Sequence, residues 1–163
     1  MRAFVWPAVS DIVVRVDHVG STAVPCLAAK PIVDIDIVVG TGDLVRPAIE
    51  RVTAPGYRHI GELGVTGRHA FRLEADVDLP PHHLYLVVDR NRAHLDHVLL
   101  RDLLREDAET RQRYGELKRR NVQLADGDID AYTRAKAALV AELLTRARSE
   151  RGLEPVEYWL PDA

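Results

Sequence analysis

The chain of 163 residues has very little cysteine and no long apolar run. Its single cysteine, Cys26, excludes a framework of intrachain disulfides and fits a reducing compartment. No apolar stretch reaches the roughly 18 residues that a membrane-spanning helix needs. The N-terminal residues also lack the apolar core and cleavage site of a signal peptide. We therefore expect a cytoplasmic protein with no membrane partner.

The chain has no strong excess of either charge. Its 22 basic and 25 acidic residues give a net charge of −3. This balance provides no overall attraction for nucleic acid, so we expect no nucleic-acid partner. The length and the hydrophobic fraction of 47% are typical of one globular domain. We predict a single domain over residues 1–163, with a sheet part at about 10–90, a helical part at about 91–150 and a tail at 151–163.

Hydrophobic patterning predicts strands in the first half of the chain and helices in the second. An amphipathic helix is predicted over 44–53, and residues 57–67 are expected to be irregular. From residue 91 onward the apolar residues recur with helical spacing and predict three helices. The fold class is therefore α/β (or α+β), with a small mixed sheet and a C-terminal helical layer. Strands are predicted over 12–16, 31–39, 69–76 and 83–88, of which the last two form an antiparallel pair.

Two aspartates interrupt the otherwise apolar strand over 31–39. Asp34 and Asp36 are two residues apart, so their side chains point to the same face of the strand. Two carboxylates on a buried strand are costly unless a cation or good hydrogen bonds compensate them. The pattern therefore predicts a metal site for Mg²⁺ or Mn²⁺. The alternative is a strand end at which both aspartates cap turns.

A Gly-Ser turn follows the first predicted strand. Gly20 permits a sharp change of direction, and Ser21 or Thr22 is expected to cap a short helix that runs towards Ala29. The amide groups at the start of such a helix attract phosphate oxygens. Lys30 follows this helix and could either neutralise a triphosphate or extend into solvent.

The order of these features resembles the nucleotidyltransferase superfamily typified by DNA polymerase β. The segment from His18 to Asp36, HVGSTAVP followed by LAAKPIVDID, is similar to the signature of the GrpB family, which adopts that fold. The resemblance extends in order from about Asp17 to about Leu144. Its further pieces include Gly67-Arg68, His83-Leu-Tyr85, Tyr114-x-x-x-Lys118 and Tyr132-Thr133-x-x-Lys136.

This resemblance implies a nucleotidyltransferase-type sheet and a nucleoside triphosphate or another phosphorylated small molecule as ligand. Some family members are fused to a dephospho-CoA kinase. This sequence has no P-loop, so that kinase activity is not expected of it. The sequence departs from the family at Cys26, where glycine is usual, and in having only about ten residues before Asp11. The N-terminal helix of the family is therefore expected to be absent, or the sequence to start late.

Polymerase-like enzymes usually place a third carboxylate near the first two. The candidates are Glu74, which has the best strand context, and Asp76 and Asp78, which lie close to a proline turn. His83 is an alternative that could ligate a metal or act as a base. His94 and His97 could indicate zinc, but a histidine pair without a suitably spaced cysteine is a weak signal.

Basic residues supply candidate anion-binding groups. Arg68 and Arg72 lie near the predicted strand pair and could contact a substrate anion. Two Tyr-x-x-x-Lys pairs place an aromatic ring and a cation one helical turn apart, which suits a nucleobase and a phosphate. A packed ring beside a lysine is the alternative. The pairs are Tyr114 with Lys118 and Tyr132 with Lys136.

The sequence leaves three functions open. In the first, a nucleotidyltransferase uses Asp34 and Asp36 as metal ligands, and an acceptor attacks the α-phosphorus of a nucleoside triphosphate. In the second, a non-catalytic domain of the same fold binds a nucleotide or another anion. In the third, an accessory domain binds a protein partner through its helical face.

Overall fold

The computed structural model describes residues 2–124 and 129–158, with side chains at 4–120 and 134–158. The described helices are α1 Arg2–Val9, α2 Val45–Thr53, α3 Arg92–Glu106, α4 Ala108–Leu124 and α5 Ile129–Glu150. The described strands are β1 Val13–Val19, β2 Val33–Val39, β3 Tyr57–Gly61, β4 Arg68–Leu73 and β5 His82–Val88.

The five strands form one mixed sheet in the order β1-β2-β5-β4-β3. Strands β2 and β5 are parallel, and every other neighbouring pair is antiparallel. The parallel pair requires a long connection, and α2, β3 and β4 lie in it. The predicted α+β class is confirmed, as is the antiparallel pairing of the last two predicted strands.

One face of this sheet is apolar. Alternate residues of β2 and β5 point to it, including Ile35, Ile37 and Leu84. Helices α1 and α2 contribute buried side chains to the same core, such as Val9 and Val52. Because strand residues alternate between faces, Asp34 and Asp36 of β2 lie on the opposite face.

The chain divides into two compact units. The first contains Met1–Ala23 and Lys30–His97, and the second contains Val24–Ala29 and Val98–Ala163. The second unit has its own core of leucines and small residues, among them Leu103, Leu143 and Ala147. None of the helices in the described residues has the length and apolar character that a bilayer-spanning helix needs.

Three local predictions were wrong. An eight-residue helix, α1, does precede β1, and it forms because burial of Val5 and Val9 outweighs the unfavourable Pro7. Residues 57–61 form β3 rather than an irregular segment, since edge pairing with β4 stabilises a stretch that lacks clear alternation. The helix expected after Gly20 is only a three-residue 3₁₀ turn, Ser21–Ala23.

Cys26 lies in the segment that was expected to complete this helix. Its φ angle of 64° is in the left-handed region, which glycine adopts at much lower cost than other residues. Cysteine at this position therefore holds the turn with some backbone strain. The side chain of Cys26 is exposed.

Candidate functional site

The polar face of the sheet brings together charged and titratable residues of β1, β2 and β5. Across the strands, Asp17 of β1 is paired in register with Asp36 of β2, which is paired with Tyr85 of β5. In the neighbouring row, Asp34 of β2 is paired with His83 of β5. The two aspartates predicted from the sequence therefore lie beside the predicted histidine.

Asp36 is at the centre of this face and is completely buried. Its Oδ2 accepts hydrogen bonds from Nδ1 of His94 and Nδ1 of His97, both at 2.9 Å. Burial opposes ionisation, but the two imidazole hydrogen bonds outweigh it and lower the pKa of Asp36 below its usual value. The second oxygen, Oδ1, is buried and has no hydrogen-bond partner among the described residues.

His94 connects Asp36 to a second carboxylate. Its Nε2 lies 3.2 Å from Asp17 Oδ2 and 3.0 Å from Nη2 of Arg15. Arg15 also contacts Asp17 at 2.9 Å and Asp89 at 2.8 Å. With Nδ1 donating to Asp36, a neutral His94 uses Nε2 to accept from Arg15. A fully buried imidazole is thus part of a continuous polar network that fixes the Asp36 carboxylate.

Asp34 is more accessible than Asp36. Its Oδ1 lies 2.8 Å from Nδ1 of His83, and 28% of the Asp34 side chain and 55% of the His83 side chain are exposed. The other oxygen faces Gly20, where an added Cβ atom would lie 2.2 Å from Asp34 Oδ2. Gly20 also has a φ angle of 70°. Both the backbone conformation and this close approach require glycine at the turn.

The turn after Gly20 differs from the phosphate-binding helix expected there. Three residues of 3₁₀ turn do not provide the aligned amides of a longer helix. The Thr22 hydroxyl donates to the carbonyl of Ile32 at 3.3 Å and lies 3.0 Å from Nε2 of His18. Ser21 is half-buried, and Lys30 is exposed beyond the turn. The structure thus places Gly20 against Asp34.

The expected third carboxylate does not come from β4. Glu74 forms an ion pair with Arg58 at 2.5 Å, and Asp76 and Asp78 are exposed in the segment after β4. The third carboxylate on the polar face is Asp17, which is opposite Asp36. Asp17 lies two residues before the end of β1. It could not be recognised from the sequence, because the residue opposite it depends on the β1–β2 register.

The aromatic and lysine pairs belong to the second unit. Lys118 Nζ lies 5.7 Å from the centroid of the buried Tyr114 ring, so this pair is a packed ring beside a lysine. Lys136 is exposed on α5. The side chain of Tyr132 lies outside the described side chains.

The carboxylates on the polar face include two candidate ligands for a divalent cation. Among the described residues, no three or more His, Cys, Asp or Glu side chains already converge as a metal cluster. However, the described residues provide no donor to the buried Asp36 Oδ1, and Asp34, two residues away, has its carboxylate on the same face. An unpaired buried carboxylate oxygen is unfavourable unless a water or a cation binds it. Asp34 and Asp36 therefore fit such a cation as ligands.

A protein-family model described as GrpB protein matches residues 1–146. The chain belongs to the GrpB family. Among solved structures, the crystal structure of the conserved protein GrpB from Enterococcus faecalis has a TM-score of 0.70 and 30% identity to this chain. That match covers 90% of this chain and 87% of the other.

Curated relatives of this GrpB chain differ in length. The UPF0157 protein YqkA of Bacillus subtilis is 32% identical over 76% of this chain, which corresponds to 36% of that protein. A UPF0157 protein of Streptomyces coelicolor is 34% identical over 85% of this chain and 71% of its own length. A dephospho-CoA kinase of Mycolicibacterium paratuberculosis is 31% identical over 87% of this chain and 44% of the kinase. The chain therefore spans only about a third of the first relative and under half of the kinase.

Proposed function

We propose that this GrpB-family chain is a divalent-cation-dependent nucleotidyltransferase that uses a nucleoside triphosphate. The observation that carries the proposal is the buried Oδ1 of Asp36, which has no hydrogen-bond partner within the described residues and lies on the same strand face as Asp34. Asp36 is held as a carboxylate by His94 and His97, so it retains the charge that a cation needs. The resemblance to nucleotidyltransferases and the dephospho-CoA kinase relative support a nucleotide-related ligand.

The two aspartates would hold Mg²⁺ or Mn²⁺. The chemistry that a bound divalent cation supplies is polarisation of a substrate phosphate and stabilisation of the charge that develops when pyrophosphate leaves. The chain's own contribution is to fix the carboxylates. His94 and His97 hold Asp36 from one side, and Gly20 leaves room for Asp34 in the adjacent turn.

His83 is suited to accept the proton of an attacking hydroxyl. Its Nδ1 donates to Asp34, so Nε2 is the basic nitrogen of the neutral imidazole. More than half of the His83 side chain is exposed, which leaves Nε2 accessible to an acceptor molecule. A carboxylate that orients an imidazole in this way is a common arrangement for general bases.

A non-catalytic nucleotide- or anion-binding domain is the second candidate. It is favoured by the histidine contacts, which already use Asp34 Oδ1 and Asp36 Oδ2 and leave fewer oxygens for a pair of cations. A binding domain would use the same face without turnover. The two candidates therefore predict the same ligand and differ in the release of pyrophosphate.

The test combines direct cation binding with product formation. Mn²⁺ binding is measured by electron paramagnetic resonance, and pyrophosphate release is measured with each nucleoside triphosphate and a pool of hydroxyl acceptors. We expect Asp34→Asn and Asp36→Asn to weaken Mn²⁺ binding at least about tenfold, since each removes a charged ligand. Asp43→Asn, in an exposed turn, is the matched control.

The outcomes separate the candidates. Loss of both Mn²⁺ binding and pyrophosphate release in the two site variants supports the transferase. Nucleotide binding without pyrophosphate release supports the binding domain. Equal Mn²⁺ affinity in the wild type, both site variants and the control rules out the aspartates as a cation site.

A further inference from the structure

Charge is distributed unevenly across the polar face of the sheet. The carboxylates Asp17, Asp34 and Asp36 are on β1 and β2, at one side of β5. On the other side of β5, strand β4 places Arg68 and Arg72 on the same face, because Phe71 between them points into the apolar core. His83 and Tyr85 of β5 therefore lie between a negative and a positive row.

Arg68 is a partly buried cation with no ion-pair partner in the part of the chain that the structure describes. Its guanidinium lies over the Tyr85 ring, with Cζ at 4.6 Å from the ring centroid. The Nε atom is buried and has no hydrogen-bond partner among the described residues, and these residues provide no ion pair to Arg68. Leaving a buried donor unpaired is costly, which indicates a group that accepts its hydrogen bond in the bound state.

Arg72 is exposed, and the described residues give it no ion-pair partner either. It is directly opposite Arg58 in the β3–β4 register, and like charges at such positions destabilise a sheet. Arg58 has Glu74 as its partner, whereas the described residues give Arg72 no ion pair. An anion bound at Arg72 would remove this repulsion.

We propose that Arg68 and Arg72 form an anion-binding strip for the phosphate groups of a phosphorylated ligand, which lies across β5 towards Asp34 and Asp36. Arg68 and Arg72 are four residues apart on one strand face, so their Cα atoms are about 13 Å apart. Two long arginine side chains can span this distance to a ligand with more than one oxyanion group. Guanidinium groups bind phosphate oxygens through paired hydrogen bonds. The assignment of the far end of the ligand to the aspartates rests on the proposed function, whereas the anion strip itself does not require a cation.

The strip is tested with inorganic pyrophosphate by isothermal titration calorimetry in the presence of EDTA. We expect Arg68→Gln and Arg72→Gln each to weaken pyrophosphate binding at least about tenfold. Arg46→Gln removes the same charge from α2, where Arg46 is exposed and paired with Glu50, and should leave the affinity unchanged. Arg68→Lys keeps the charge and provides a second variant if loss of the stack on Tyr85 impairs folding.

Three results would overturn the inference. The first is the absence of pyrophosphate binding to the folded wild type, and the second is equal affinity in the wild type and both arginine-to-glutamine variants. The third is equally tight, equally arginine-dependent binding of citrate, which would make the ligand a carboxylate rather than a phosphate.

Mn²⁺ binding is measured separately on the same proteins. Retained Mn²⁺ binding with no pyrophosphate binding would reject the strip and leave the cation site standing. Pyrophosphate binding that survives Asp34→Asn, with no Mn²⁺ binding to the wild type, would support the strip and reject the cation site.

Discussion

At the scale of single residues, the candidate site depends on close contacts to two carboxylates. Asp34 fits because Gly20 has no side chain, and Asp36 is ionised because two imidazoles donate to one of its oxygens. The first contact links the Gly20 turn directly to the Asp-x-Asp strand. Each of these contacts can be perturbed by one substitution for which the chain offers a matched control.

Gly20→Ala is expected to destabilise the protein and displace Asp34. The left-handed φ angle alone should cost about 1–2 kcal/mol. The new Cβ would also overlap with the Asp34 carboxylate, which must move. Gly64→Ala is the control, because Gly64 has a φ angle of 77° and no atom within 4 Å of an added Cβ. Urea denaturation should show a larger loss for Gly20→Ala, and an equal loss would contradict the overlap.

His94 and His97 should differ in their contributions to stability. Both donate to the same Asp36 oxygen at 2.9 Å, but His94 is fully buried whereas 29% of the His97 side chain is exposed. Removal of His94 leaves a buried carboxylate with one donor fewer and no solvent access. We expect His94→Ala to lower the free energy of unfolding by about 2–4 kcal/mol, and His97→Ala by clearly less. Denaturation in EDTA measures both, and a larger effect of His97→Ala would contradict the assigned network.

At the scale of secondary-structure elements, α4 begins with a well-defined cap. Asp107 precedes the helix, and its Oδ1 accepts a hydrogen bond from the Thr110 amide at 2.9 Å. Its Oδ2 accepts from the Thr110 hydroxyl at 2.7 Å. These backbone and side-chain hydrogen bonds from Thr110, with a smaller effect of Arg146, lower the pKa of Asp107 to about 2.

The Asp107 cap should make the stability of the protein fall as the pH is lowered below about 4. Because the folded-state pKa of Asp107 is lowered, its contribution is present above the unfolded value near 4 and is lost as pH falls towards about 2. Asp107→Asn keeps a capping side chain without titration, so its melting temperature should approach that of the wild type as pH falls from about 4 to about 2. Asp107→Ala should melt a few degrees lower at neutral pH. A constant difference between wild type and Asp107→Asn across this range would show that the carboxylate charge does not contribute.

The elements also show what the sequence could and could not predict. Strand β2, the antiparallel β4–β5 pair and the helical second half follow from hydrophobic patterning, and Asp34, Asp36 and His83 follow from spacing and family resemblance. The roles of His94 and His97 were not predicted, because their contact with Asp36 depends on where α3 begins relative to β2. Asp17 was missed for a related reason, since its facing residue depends on a sheet register that includes an irregularity near Val13.

At the scale of the whole molecule, charge balance limits the choice of partners. The chain carries 22 basic and 25 acidic residues, so any attraction for phosphate must be local. We expect no saturable binding of a 20-nucleotide RNA or a 20-base-pair DNA duplex by fluorescence anisotropy at 150 mM salt and about 10 µM protein. Saturable binding that weakens steeply with salt would contradict this prediction and point to an extended basic surface.

The parallel pairing of β2 with β5 has a consequence for synthesis of the protein. The contacts from Asp34 to His83 and from Asp36 to His94 and His97 span 49, 58 and 61 residues of chain. Contacts of such long range form late, because the intervening loop must be closed first. A nascent chain released from the ribosome only as far as β4 holds both aspartates without their imidazole partners. The site is therefore assembled only after α3 has emerged, and translation products that end before α3 lack it.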